Sequence, residues 1–255
     1  MTIRPIIRVA ALAGLALAAA CGTKDAPGPL QPSGPTGRIR FVNVITDTTR
    51  GRVNVSLDGL PFGVNLTYTQ STPATLPAPS TAPYAAALAG NRPIVLKRTV
   101  DTTTVVGTFG VSLAAGEDIT VYAFGGAGGS NIGIMVTADV NTPPAAGQSR
   151  LRVVQLSATA GTIDVFVTAP GADLATATPV ATNLPYQQAS AYFSVPAGTY
   201  RIRAVPAGTA PASRTGAVII DLNNVALAAG TARTIVTADN NVGGAPLRAF
   251  LVADR

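Results

Sequence analysis

The stretch RIRFVNV at Arg38–Val44 returns as RLRVVQL at Arg150–Leu156, an offset of 112 residues, so whatever this chain folds into has to be buildable twice. Val53-Asn54-Val55 is matched by Ile163-Asp164-Val165, and Leu66-Thr67-Tyr68-Thr69-Gln70 by Leu184-Pro185-Tyr186-Gln187-Gln188. Leu113-Ala114-Ala115-Gly116 recurs unchanged as Leu227-Ala228-Ala229-Gly230, and Thr137-Ala138-Asp139 is echoed by Val252-Ala253-Asp254. The order is kept and the offsets stay between 110 and 118. Two related domains follow, residues 38–140 and 150–255, each of a size at which one sandwich core is common. Asn141–Ser149, with two prolines and a glycine, reads as the linker between them.

Inside each copy the hydrophobic period is two, with β-branched residues bounded by turn signals. In the second copy Leu151, Val153, Val154 and Leu156 mark one strand, and Ile163, Val165 and Val167 a second. Ala189–Val195 and Thr199–Val205 flank Pro196-Ala197-Gly198, which reads as a hairpin turn. Further strands are expected at Ala217–Val225, Thr231–Ala238 and Leu247–Val252, seven or eight in all, with no amphipathic helix. The expected fold is all-β: two tandem antiparallel β-sandwiches of immunoglobulin-like or prealbumin-like form. In the first copy, Ser71–Pro83 carries four prolines and is expected as an exposed loop, and Tyr122–Ile134 as a glycine-rich surface loop.

The amino terminus sets an address. Arg4 and Arg8 precede the uncharged run Val9–Ala20, whose 12 residues suit a signal peptide and fall short of the roughly 20 that a membrane-spanning helix needs. Cys21, the only cysteine, comes directly after Ala18-Ala19-Ala20. This arrangement resembles the lipobox of bacterial lipoproteins, with its leucine at Leu17, one place further out than usual. The resemblance implies cleavage before Cys21 and acylation of its thiol, giving residues 1–20 as signal peptide and Cys21 as lipidation site. The alternative is an ordinary secretory peptide cut near Ala20. Residues 21–37, with prolines at 27, 29, 32 and 35, read as a semi-extended tether. The expected localisation is exported and lipid-anchored. Gly22 after the cysteine, where an acidic retention signal would stand, leans toward the outer membrane, on its periplasmic or surface face.

Composition removes many chemistries. There is no histidine and no tryptophan, which excludes a Ser-His-Asp triad and histidine metal ligands. A lipidated Cys21 leaves no thiolate, so no catalytic residue, cofactor or metal site is expected. The net charge of +6 falls to +4 once Arg4 and Arg8 leave with the signal peptide, too little over this length for a nucleic-acid footprint. Asp139, Asp221 and Asp239 stand beside asparagines and read as turn formers in preference to calcium ligands. Arg38/Arg40, Arg50/Arg52, Arg150/Arg152 and Arg201/Arg203 each put two guanidinium groups on one strand face. Arg150, Arg152, Arg201 and Arg203 are therefore the candidate contacts for an anionic ligand, against the plainer reading of a solvated outer face that prevents edge pairing. Tyr186, Tyr192 and Tyr200 read as packing residues.

The second copy resembles the bacterial domain of unknown function 4397. It shares the Arg-hydrophobic-Arg strand at Arg150–Val154, the hydrophobic-Asp-Val strand at Ile163–Val165, and Tyr192 followed by Val195–Tyr200. It also shares Leu227–Gly230 with Thr234-Ile235-Val236. The first copy follows more loosely, with Asn54 in place of the aspartate. The resemblance implies exported, frequently lipid-anchored β domains and no defined activity. The expected function is a non-catalytic binding, adhesion or spacer role in the cell envelope. Its partners would be the membrane, through the lipid, and envelope polysaccharide or other envelope proteins. The alternative is an envelope enzyme acting on glycan through paired carboxylates.

Overall fold

A computed structural model describes residues 34–73 and 83–255 of the chain. The expected signal peptide, Cys21 and most of the tether lie outside the described residues, as does most of the proline-rich stretch at 71–83.

The first copy consists of β1 (Thr36–Ile45), β2 (Val53–Leu57), β3 (Leu60–Leu66), β4 (Ser71–Thr72), β5 (Ala85–Leu88), β6 (Gly90–Arg98), β7 (Val105–Leu113), β8 (Asp118–Gly125) and β9 (Ile132–Ala138). The second follows in the same order. It has β10 (Gln148–Leu156), β11 (Ile163–Thr168), β12 (Ala181–Leu184), β13 (Gln188–Ala189), β14 (Phe193–Pro196), β15 (Gly198–Pro206), β16 (Ile220–Leu227), β17 (Ala232–Ala238) and β18 (Arg248–Ala253). Each copy is a sandwich of two sheets. In the first copy one sheet runs β4-β1-β8-β9, with β5 also on β1, and the other runs β3-β2-β6-β7. In the second copy the corresponding orders are β13-β10-β17-β18, with β14 on β10, and β12-β11-β15-β16.

Pairing is antiparallel except at one seam per copy, where β1 runs parallel to β8 and β10 parallel to β17. Such a seam needs a long crossover, which the whole second sheet supplies. Pro196-Ala197-Gly198 is not a hairpin. β14 pairs with β10 in one sheet while β15 pairs with β11 and β16 in the other, so these residues form a corner between sheets. The expected strand at Ala189–Val195 is likewise split into β13 and β14. Tyr122–Gly125 and Ile132–Ile134 belong to strands, leaving a glycine-rich loop of six residues, 126–131, between them. Arg50 holds that loop, donating to the carbonyls of Gly126 and Ser130 at 2.9 Å each.

The four-residue motif that repeats word for word is a corner with a backbone reason. Leu113 and Leu227 are buried, and Gly116 and Gly230 adopt φ of 75° and 77°, a region costly for any residue with a Cβ. Their N–H groups close the corner onto the start of the first strand of each copy, at the carbonyls of Thr36 and Gln148, 2.8 Å each.

Alternation along the strands divides the buried residues into three main cores. Ile39 and Phe41 of β1 pack inside the first sandwich with Val53, Val55, Ile94, Leu96 and Val121. Leu151 and Val153 of β10 do the same in the second, with Ile163, Val165, Ile202 and Ile235. The alternate residues of these strands face away from their own sandwich and meet in a third core. Val42, Val44, Tyr122 and Phe124 from the first copy join Val154, Leu156, Val236, Ala238 and Val252 from the second. The sheets containing β1 and β10 are thus packed face to face and buried on both sides, and Pro35–Arg255 forms a single compact unit. A sheet covered on both faces loses its polar alternation.

Candidate functional site

The seam between the two inner sheets carries the largest concentration of buried charge. Arg40 of β1 and Arg152 of β10 are 1% and 2% exposed, although the sequence places them on strand faces that read as solvated. Each guanidinium crosses to the other copy. Arg40 donates to Asp254 Oδ1 at 2.7 Å and to the carbonyl of Ala253, and lies 3.5 Å from Asp139 Oδ2. Arg152 donates to Asp139 Oδ1, and to the carbonyl of Ala138 at 2.9 Å. The two ion pairs are therefore exchanged between copies: the arginine from the start of each domain is neutralised by the aspartate from the end of the other.

Further groups complete the arrangement in matching positions. Within each copy a threonine hydroxyl accepts from the arginine Nε, Thr120 from Arg40 at 3.1 Å and Thr234 from Arg152 at 2.8 Å. The same hydroxyls donate to the carboxylates, Thr120 to Asp139 and Thr234 to Asp254. Tyr84 lies under Arg40, with the guanidinium carbon 4.6 Å from its ring centre, and donates to Asp139 Oδ2 at 2.5 Å. Tyr192 lies under Arg152 at 4.8 Å and donates to Asp254 Oδ2 at 3.1 Å. Burial pushes both hydroxyls well above the usual tyrosine range, so they stay protonated and serve as donors. Burial also works against the charge on Arg40 and Arg152, but neighbouring tyrosines and aspartates outweigh it and both pKa values are raised.

Two openings flank the seam. A cleft of about 340 Å³ is lined by Met135, Thr137, Arg152, Gln188, Ser190 and Tyr192. Its counterpart, about 210 Å³, is lined by residues including Arg40, Ser71, Leu251 and Val252. Asp139 and Asp254 form a pair of inward-facing carboxylates, but their side chains have no exposed surface and their oxygens are engaged by arginine, threonine and tyrosine.

The structure separates the four candidate anion contacts. Arg152 is consumed in the seam. Arg150, two residues before it, is half-buried and donates to the Thr142 carbonyl and hydroxyl at 3.2 and 3.1 Å. On β15 of the other sheet, Arg201 is bound to Asp221, with Nε to Oδ1 at 2.9 Å. Arg203 is 4% exposed and donates to Thr168 Oγ1 at 2.9 Å and to the Ala172 carbonyl at 2.7 Å. Arg50 and Arg52 lie in the loop before β2, not on a strand. The carboxylates considered as turn formers are also occupied: Asp139 and Asp221 by arginines, Asp239 by Ser157 and Thr159.

A family model described as Domain of unknown function (DUF4397) matches residues 37–166 and 167–255. The chain belongs to the DUF4397 family. The two matches meet inside β11, whereas the sheets of the two copies divide between β9 and β10. No protein with a curated description matches the sequence. Among solved structures, a leucine-rich repeat protein from Bacteroides thetaiotaomicron covers 81% of this chain and 26% of its own length, at 12% identity and a TM-score of 0.18. Likeness that low bears on neither fold nor function.

The residues on which the sequence resemblance rests have defined places. Arg152 and Tyr192 belong to the seam, and the Leu-x-Ala-Gly run makes the corner at Gly230. Asp164 accepts the N–H of Asn183 at 2.8 Å, and Asn54 in the first copy accepts that of Asn65 at the same distance. Both donors, Asn183 and Asn65, hold a left-handed backbone, φ 50° and 56°. The position needs an oxygen acceptor and not a charge, which is why aspartate and asparagine both serve.

Proposed function

We propose that this DUF4397 protein is a lipid-anchored cell-envelope protein whose two sandwiches act together as one stiff, non-catalytic module for adhesion or spacing. The observation that carries the reading is the exchanged pairing of Arg40 with Asp254 and of Arg152 with Asp139. Buried charge is costly, and here it is spent on joining two domains. A spacer or adhesin that transmits force benefits from that joint. The anchor is supported by Arg4, Arg8, the apolar run to Ala20 and the position of Cys21. In a glycan-hydrolysing enzyme, Asp139 and Asp254 could reach substrate only if the seam opened.

Two measurements test the proposal. Radiolabelled palmitate should enter the full-length protein in its native cell and not the Cys21→Ala variant; equal labelling of both would remove the anchor. Residues 38–255 offered to envelope extract should retain an envelope protein or glycan without altering it. Release of shortened glycan would replace the module with an enzyme.

A further inference from the structure

The arginine, threonine, tyrosine and aspartate of the seam are matched in both copies, but its apolar part is not. Register aligns Arg40 with Thr120 in the first copy and Arg152 with Thr234 in the second, so this row is chemically identical. The next positions on the same face differ in size. Tyr122, opposite Val42, corresponds to Val236, opposite Val154; Phe124, opposite Val44, corresponds to Ala238, opposite Leu156. All eight residues belong to the one buried core between the sheets. The first copy presents large side chains on β8, and the second presents small ones on β17.

The charged row alone would let like pair with like. Two first copies could exchange Arg40 and Asp139, and two second copies could exchange Arg152 and Asp254, with every hydrogen-bond partner retained. The apolar rows would not allow it. Two first copies would bring two sets of Tyr122 and Phe124 into one interface, and overpacking forces strained rotamers or separation. Two second copies would set Val236 and Ala238 against themselves and leave a void. Tyr122 reinforces the point: it is fully buried and its hydroxyl has no hydrogen-bond partner among the described residues. Its contribution is ring volume, not a polar contact.

We infer that the inner face of each copy is a recognition surface for the unlike copy of this chain, with Tyr122 and Phe124 on one side and Val236 and Ala238 on the other setting that choice. The ion pairs hold the seam, and side-chain size decides who meets whom.

The test keeps the full chain. A protease site placed at the exposed residues Ala145 and Ala146 allows the folded protein to be nicked between the copies. Native mass spectrometry of the nicked protein should show a 1:1 complex. Mixing it with isotopically heavy nicked protein should give exchanged pairs of unlike copies only. Like pairs at the random share, or halves that separate at micromolar concentration, would overturn the inference. Y122V with F124A should raise like pairs of either copy toward the random share, and adding V236Y with A238F should restore unlike pairing. Tyr122→Phe should leave the choice unchanged. Unlike pairing that persists undiminished in folded Y122V/F124A would assign the choice to something other than size and sink the proposal. If that variant fails to fold, the isotope exchange of the otherwise unaltered nicked protein still decides whether the face discriminates.

Discussion

Arg40, in the first strand of the first sandwich, donates a 2.7 Å hydrogen bond to Asp254, the penultimate residue of the chain, across 214 positions of sequence. Both side chains are shielded from water, and the second pair, Arg152 with Asp139, mirrors the first. Removing one member of a buried pair strands the other charge, so Asp254→Ala or Arg40→Ala is expected to lose about 3–5 kcal/mol of unfolding free energy in urea titration. A double replacement by apolar residues of similar volume should recover most of that. Disrupting the solvent-screened pair Arg201–Asp221 should cost far less. Equal losses at the two sites would mean that the seam is wetter than described.

Alkaline pH should weaken the seam. Burial raises the pKa of Tyr68 to about 12, and raises those of Tyr84, Tyr122 and Tyr192 as well. In the unfolded chain these hydroxyls ionise near 10. Their resistance to ionisation in the folded state therefore favours folding fully below pH 10, and the advantage shrinks as pH climbs through about 12 for Tyr68. Absorbance of tyrosinate and loss of β-sheet ellipticity should rise together above pH 10. Early, non-cooperative ionisation of all six tyrosines would contradict the burial.

The acidic limb has a local reporter in Asp47. Partial burial alone would raise its pKa, but hydrogen bonds from Thr49 and Arg50 outweigh it and bring the carboxyl to about 2. The same arginine clamps the loop at 126–131. Because the folded pKa is the lower one, this clamp contributes above pH 4 and is lost as pH falls through about 2. Carbon-detected NMR titration of the Asp47 carboxyl should find its midpoint near 2, and a midpoint at the ordinary aspartate value of 3.8 would show that the clamp does not hold the ionised carboxyl.

At Asp164 the chemistry calls for an acceptor. Asp164→Asn should change stability by less than about 0.5 kcal/mol, since Asn54 already does the same work in the first copy. Asp164→Leu, which leaves the Asn183 N–H without its bond, should cost about 1–3 kcal/mol. Thermal denaturation of the two variants separates the cases.

Gly230 tests the repeated corner. There is open space where its Cβ would stand, so Gly230→Ala meets only backbone strain at φ 77°. A loss of about 1–2 kcal/mol is expected, and a neutral result would show that the corner relaxes out of the left-handed region.

Much of this architecture is legible in the chain. Repeated words at a steady offset specify two copies, period-two patterning specifies strands, and a glycine in each Leu-Ala-Ala-Gly specifies a corner, because these are local demands of backbone geometry. What the sequence conceals is which face of a strand is wet. Arg40 and Arg152 look like surface charges, since a period of two says only that they share a face with their alternate neighbours. A signal was present in the unbroken apolar runs around them, Phe41-Val42 and Val153-Val154, which mark strands covered on both sides. Asp139 and Asp254 gave no comparable sign, because the arginines that neutralise them lie in the other copy. The pairing was decided only when two sheets met, since a buried charge takes its meaning from a partner that sequence distance does not reveal.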